Sequence, residues 1–204
     1  MDRHESLSGE AGRHHEAFTL LELVVVIAVI AILAVLLFPA FQSVLDRAKK
    51  VQAKNDLTQI VTAVNAFYTE YGRYPTTVTG GDANYGPGAT GTDAVFKELR
   101  ALSGSSINTR QVVFISPPED ATQASPRGKI GSDGQFHDPW GTAYSIKIDA
   151  NYDNQVGNPY ESSGGAGPDP LRQGVVAWSL GKDKKLGNNG DGKFSNSDDV
   201  ISWQ

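Results

Sequence analysis

The chain has no cysteine, which excludes disulfide staples, thiolate nucleophiles and cysteine-held zinc. Of its four histidines, His4, His14 and His15 stand ahead of residue 16, so His137 is the one imidazole left beyond them. A hydrolase triad would have to be built around that residue, and no nucleophile elbow or phosphate loop accompanies it. His137 therefore reads as a turn residue beside Asp138, and the chain reads as having no catalytic site. Net charge is −5, against the basic face that a nucleic-acid partner requires. A small domain without disulfides and facing an oxidising compartment often needs another brace, such as a metal.

What the chain does have is one long apolar run. From Leu23 to Phe41 there are 19 residues without a charge. As a helix they reach roughly 28 Å, close to the thickness of a bilayer's hydrocarbon core. A cleaved secretory signal has a shorter apolar region, about 7–15 residues, ending at a small-x-small site. Here the run continues as helical sequence, "PAFQSVL" from residue 39, so the segment is expected to stay with the protein. Glu22 stands at its front edge. An ionised carboxylate in a membrane segment is costly unless paired, which makes it a functional candidate.

The stretch "AFTLLELVVVIAVIAILAVLLFP" resembles the prepilin signature of type IV pilins and type II secretion pseudopilins. The resemblance implies that a prepilin peptidase cuts between Ala17 and Phe18, where the family usually has Gly before the cut, and methylates the new N-terminus. It also makes Glu22 the family's assembly glutamate, pairing with the cationic N-terminus of a neighbouring subunit, and Pro39 its helix-loosening proline. The family places the C-terminal domain outside the inner membrane. A count of Lys and Arg alone points the other way, since Arg47, Lys49, Lys50 and Lys54 follow the run and only Arg3 and Arg13 precede it.

Beyond the run, apolar residues repeat at three- and four-residue steps: Val44, Ala48, Val51, then Leu57, Ile60, Val61, Val64, Phe67, Tyr68 and Tyr71. This predicts an amphipathic continuation of the helix, its stripe available to hold a domain, ended by Gly72 and Pro75. Residues 77–92 read as a polar loop. Residues 92–102 read as a short helix with Thr92 as cap and Val95, Leu99 and Leu102 facing inward. "QVVFI" at 111–115, "AYSIKI" at 143–148 and "GVVAWSL" at 174–180 read as strands, and "DPWG" at 138–141 as a turn placing Trp140 beside the sheet. The segment 149–173 is longer than the resemblance leads one to expect.

The tail, residues 179–204, is rich in turn formers and carboxylates, a composition that suits Ca²⁺ and its six to eight oxygen ligands. Against an EF-hand loop begun at Gly187, Asn189, Asp191 and Gly192 match, Phe194 takes the apolar position and Asp198 the place of the bidentate Glu, but the first ligand is missing. Ser179–Asp183 and Asp199–Trp203 bracket a loop that is similar to the calcium-binding C-terminal loop of major pseudopilins. That similarity implies Leu180 (through its carbonyl), Asp183, Asp191, Asp198 and Asp199 as metal ligands, and the EF-hand alignment adds Asn189 to the expected set.

The expected fold class is α+β, type IV pilin-like: a long N-terminal helix, membrane-spanning then amphipathic, packed on a small antiparallel sheet. The expected organisation is a leader at 1–17, a transmembrane and assembly helix at 18–72, and a periplasmic domain at 73–204. The expected function is a structural subunit of a type II secretion pseudopilus, stored single-pass in the inner membrane and polymerised to drive export. Its implied partners are further copies of itself, the prepilin peptidase, the inner-membrane secretion platform with its ATPase, minor pseudopilins and membrane lipid. The alternatives are a major pilin of a type IV pilus and an anchored calcium-binding module that does not polymerise.

Overall fold

A computed structural model describes residues 19–204, apart from the side chains of residues 36–40. Two compact units divide it, one ending at Val44 and one running from Leu45 to Gln204. Helix α1 is Leu20–Tyr71. It starts where it does because Thr19-Leu20-Leu21-Glu22 forms a capping box. Glu22 Oε2 accepts from the Thr19 N–H and hydroxyl, each at 2.8 Å, while Thr19 Oγ1 accepts from the Glu22 N–H at 3.2 Å. In the first unit the apolar side chains from Leu20 to Val35 all face outward. Among the described residues no helix is long and apolar enough to cross a membrane; the run read from the sequence extends into residues 36–40, whose side chains are not among them. At its other end α1 stops at Gly72, which takes a left-handed φ of 65° and donates its N–H to Tyr68 O at 2.8 Å.

In the second unit α1 buries Ala53, Leu57, Ile60, Val64 and Phe67, one side chain per turn. Val44 and Val51, expected in the same stripe, are exposed, because the domain's core begins only at Ala53. The buried stripe packs on an antiparallel sheet of order β1-β4-β5-β6, built from β1 (Asp82–Tyr85), β4 (Ser145–Asp149), β5 (Val175–Ser179) and β6 (Val200–Ile201). In β4, Ile146 and Ile148 join the helix-side core, whereas Lys147 donates to Gly157 O at 2.8 Å. β5 is buried throughout because both its faces are covered: Val175 and Ala177 join the helix-side core, Val176 and Trp178 a second one. That second core takes Val156, Tyr160, Ala166 and Leu171 from the long segment 149–173 and packs them with Ile201, Phe194 and Trp203 of the tail. The chain is thus α+β, with its N-terminal helix on a small antiparallel sheet, as a pilin-like fold requires.

Several local expectations are corrected. The segment 77–92 contains edge strand β1, since Ala83 and Tyr85 alternate inward and pair with Ile148 and Ile146. The segment 111–115 is not a strand: the Phe114 and Ile115 N–H groups both donate to Leu99 O at the end of α2 (Asp93–Leu99), which takes this stretch away from the sheet. Thr92 flanks α2 in a helical conformation and makes no side-chain cap. Leu102 lies beyond α2 and is exposed, whereas Val95, Phe96 and Leu99 are buried. A two-residue parallel pair, β2 (Glu119–Asp120) with β3 (Ile130–Gly131), completes the unit.

Candidate functional site

The tail loop between β5 and β6 is organised by carboxylates that face inward. Asp198 Oδ2 accepts from the N–H groups of Lys182 and Asp183, the latter at 3.1 Å. Asp183 accepts from Lys185 N–H at 2.9 Å and Asn189 N–H at 3.1 Å. Asp199 Oδ2 accepts from Gly187 N–H and from the Tyr160 hydroxyl, both at 2.7 Å. The turns need glycine. Gly181 has φ 63°, and a Cβ there would lie 2.6 Å from Asp198 O.

These bonds bring one oxygen each of Asp183, Asp198 and Asp199 within 4.8 Å of one another. Asp199 Oδ1 is buried and has no hydrogen-bond partner. Burial pushes the Asp199 carboxyl up to about 6, with the Asp198 and Asp183 charges adding to the effect and the Gly187 and Tyr160 bonds opposing it. An orphaned, buried carboxylate oxygen among two further carboxylates is an all-oxygen donor set that fits a hard cation. Of the other residues singled out from the sequence, Asp191 caps its own turn, accepting from Asn188 N–H at 2.8 Å and Lys193 N–H at 2.9 Å. The Asn189 side chain donates to Asn188 Oδ1 at 3.2 Å, and the Leu180 side chain packs on the second core. Strands rather than helices flank the loop, so the EF-hand alignment is not realised.

Two polar groups that sequence reasoning passed over hold the loop's base. Asp138 is fully buried, and its Oδ1 accepts from Trp140 and Thr142 N–H, both at 2.9 Å. Its Oδ2 accepts from Ser179 Oγ at 2.6 Å, and Ser179 Oγ accepts from Gly181 N–H at 3.1 Å, linking the DPWG turn to the loop. Burial raises the Asp138 carboxyl. Tyr160 is the second group. It comes from the 149–173 segment, 39 residues before the Asp199 it touches. His137 is buried, with Nε2 3.0 Å from Asp133, and it pairs with Ala143 in an isolated bridge, so it is a packed bridge residue rather than the turn residue expected.

At the other end of the chain Glu22 is held by Thr19, as described above. Ala17 and Phe18 lie outside the described residues, and of Pro39 only its place within α1 is described. Residues 12–38 match the family described as the prokaryotic N-terminal methylation motif. That match is to a type IV prepilin-like signal and takes in Ala17, Phe18 and Glu22. It supports a type IV pilin-like protein, a subunit of a pilus or pseudopilus rather than an enzyme, processed by a prepilin peptidase and anchored through its N-terminal region. No curated protein and no solved structure matches the chain.

Proposed function

We propose that the protein is the major pseudopilin of a type II secretion system. It is held in the inner membrane with its C-terminal domain in the periplasm, cut before Phe18, and polymerised with minor pseudopilins on the secretion platform and its ATPase. The observation that carries the choice of pseudopilus over pilus is the carboxylate trio of Asp183, Asp198 and Asp199, with Asp199 Oδ1 unpartnered, in a chain with no cysteine to brace that tail. These residues, with the Leu180 carbonyl, are the ones that would hold Ca²⁺. When bound, the ion supplies the positive charge that offsets three crowded carboxylates. Glu22 has two successive partners in this reading. In the free subunit it caps α1 through Thr19; in the fibre it pairs with the amino group of a neighbour's Phe18, whose burial strengthens the attraction.

Mass spectrometry of membrane-extracted protein should find a chain beginning at Phe18 and N-methylated. A Met1 start, or a cut after the apolar run, overturns the reading. Short periplasmic fibres formed with the secretion platform support the pseudopilus, whereas long surface fibres assign the protein to a type IV pilus instead.

A further inference from the structure

We infer that the Leu45 end of the second unit carries a basic surface that binds anionic phospholipid headgroups, built from Arg47, Lys49 and Lys50 on α1 and Lys182, Lys184 and Lys185 on the tail loop. The inference rests on the reading that the N-terminal region anchors the protein in a membrane.

The two groups of cations are 132 residues or more apart in sequence. They are joined by one contact, Lys182 Nζ to Asp46 Oδ2 at 3.0 Å. Asp46, Lys49 and Lys50 are three and four residues apart and share a helix face, so Lys182 arrives beside both lysines. Arg47, Lys184 and Lys185 are exposed. Among the described residues, Asp46 is the one acid paired with any of the six. Among the described residues, Asp183, Asp198 and Asp199 form no ion pair with any of the six; they accept instead from backbone N–H groups inside the loop, Asp199 also from the Tyr160 hydroxyl. A chain of net charge −5 thus gathers a third of its 18 basic residues in one place.

Lipid is the occupant favoured over an acidic protein because of where the chain puts this surface. The apolar run ends at Phe41, and five residues later comes Asp46, roughly 8 Å of helix. In an anchored molecule only six to nine residues of chain separate Arg47, Lys49 and Lys50 from the end of the run, a tether that gives these cations an effective concentration at the headgroups no dissolved partner matches. The same placement accounts for most of the Lys and Arg count that runs against the positive-inside pattern: Arg47, Lys49 and Lys50 serve as a surface contact rather than a topology signal, while Lys54 turns inward and donates to Ile201 O at 2.8 Å.

The test uses the full chain reconstituted into nanodiscs, either of phosphatidylcholine alone or of phosphatidylcholine mixed with phosphatidylglycerol. Each lysine is acylated with a water-soluble reagent and read by mass spectrometry. Lys50, Lys184 and Lys185 should label several-fold more slowly in the mixed discs. Lys97, on α2 near the Tyr71 end of α1, should label equally in both. The protection should vanish in about 1 M NaCl, where the screening length is ~3 Å. It should also vanish at Lys50 in the double variant Lys184→Glu/Lys185→Glu, which changes two exposed residues. Equal labelling in the two disc types overturns the proposal. So does protection that ignores lipid charge and rises with the number of chains per disc, which would assign the surface to a second copy. Failure of the chain to enter either disc would instead overturn the anchoring reading beneath it.

Discussion

The capping box at Thr19–Glu22 and the tail loop at Leu180–Asp199 solve one problem with different reach. Both use carboxylates to satisfy backbone N–H groups that secondary structure leaves free. In the first, every partner lies within four consecutive residues. In the second, Asp183 needs Asp198 and Asp199 from the far side of the loop, and Asp199 needs Tyr160 from a different segment. A contact closed within one helical turn forms wherever the helix forms. A contact closed across 39 residues exists only if the second core is built. Damage to the first should therefore affect assembly without touching the domain, and damage to the second should affect the domain without touching the anchor.

The largest expected effect is on the first. Glu22→Ala should abolish fibre assembly while leaving membrane insertion intact, since an unpaired carboxylate is costly there. Glu22→Gln separates the two roles, because Gln at this position can still close a capping box but carries no charge. If Gln restores fibres counted by electron microscopy, the cap and not the charge is what assembly needs.

Calcium should come next. Binding to the folded state adds RT ln(1 + [L]/Kd), about 2.7 kcal/mol at a hundredfold excess over Kd. At roughly 2–4 °C per kcal/mol for a unit of this size, millimolar Ca²⁺ should raise the Tm of the detergent-held chain by on the order of 5–10 °C over EGTA. Asp183→Ala should remove most of that difference. Mg²⁺ should reproduce little of it, because it demands tight octahedral geometry. Superimposable melting curves in Ca²⁺ and EGTA would leave the trio a hydrogen-bonding device and nothing more.

The same loop should respond to pH. With the folded Asp199 carboxyl at about 6, above its ordinary 3.8, ionisation works against the ion-free fold. This group's contribution to ion-free stability is therefore greatest below about pH 4 and is lost as pH rises through 6. A bound cation favours the ionised form and reverses the trend. The Ca²⁺-induced rise in Tm should accordingly be larger at pH 8 than at pH 5, and an equal rise at both would remove Asp199 from the ligand set.

The smallest effect should come from Tyr160→Phe, which deletes the hydroxyl bond to Asp199 and keeps the ring in the second core. A loss of about 1 kcal/mol is expected, with fibres still formed. A loss near zero would uncouple the 149–173 segment from the loop.

The α+β class, the run of α1 to Gly72, strands β4 and β5 and the DPWG turn were legible because each rests on periodicity or turn chemistry within a few residues. The capping box was equally legible as Thr-x-x-Glu, although the acid drew attention first as a membrane residue. The failed reading at 111–115 shows the limit. Val112, Val113, Phe114 and Ile115 have strand propensity, but Leu99 O claims the Phe114 and Ile115 N–H groups and Asn108 Oδ1 that of Val112, and no local pattern announces those acceptors. The tail's carboxylates were visible as composition, but their sorting was not. Asp191 caps its own turn while Asp183, Asp198 and Asp199 converge, and only the closed loop separates the two roles. By itself the sequence determined the anchor-like run, the long helix that ends at Gly72 and the lack of any thiol brace, since these follow from neighbours along the chain. The tertiary structure decided that the 149–173 segment becomes the second core's wall, that Tyr160 reaches Asp199, and that Lys182 meets Asp46. Those outcomes depend on which distant surfaces find burial together, and burial is a property of the packed chain rather than of any stretch of it.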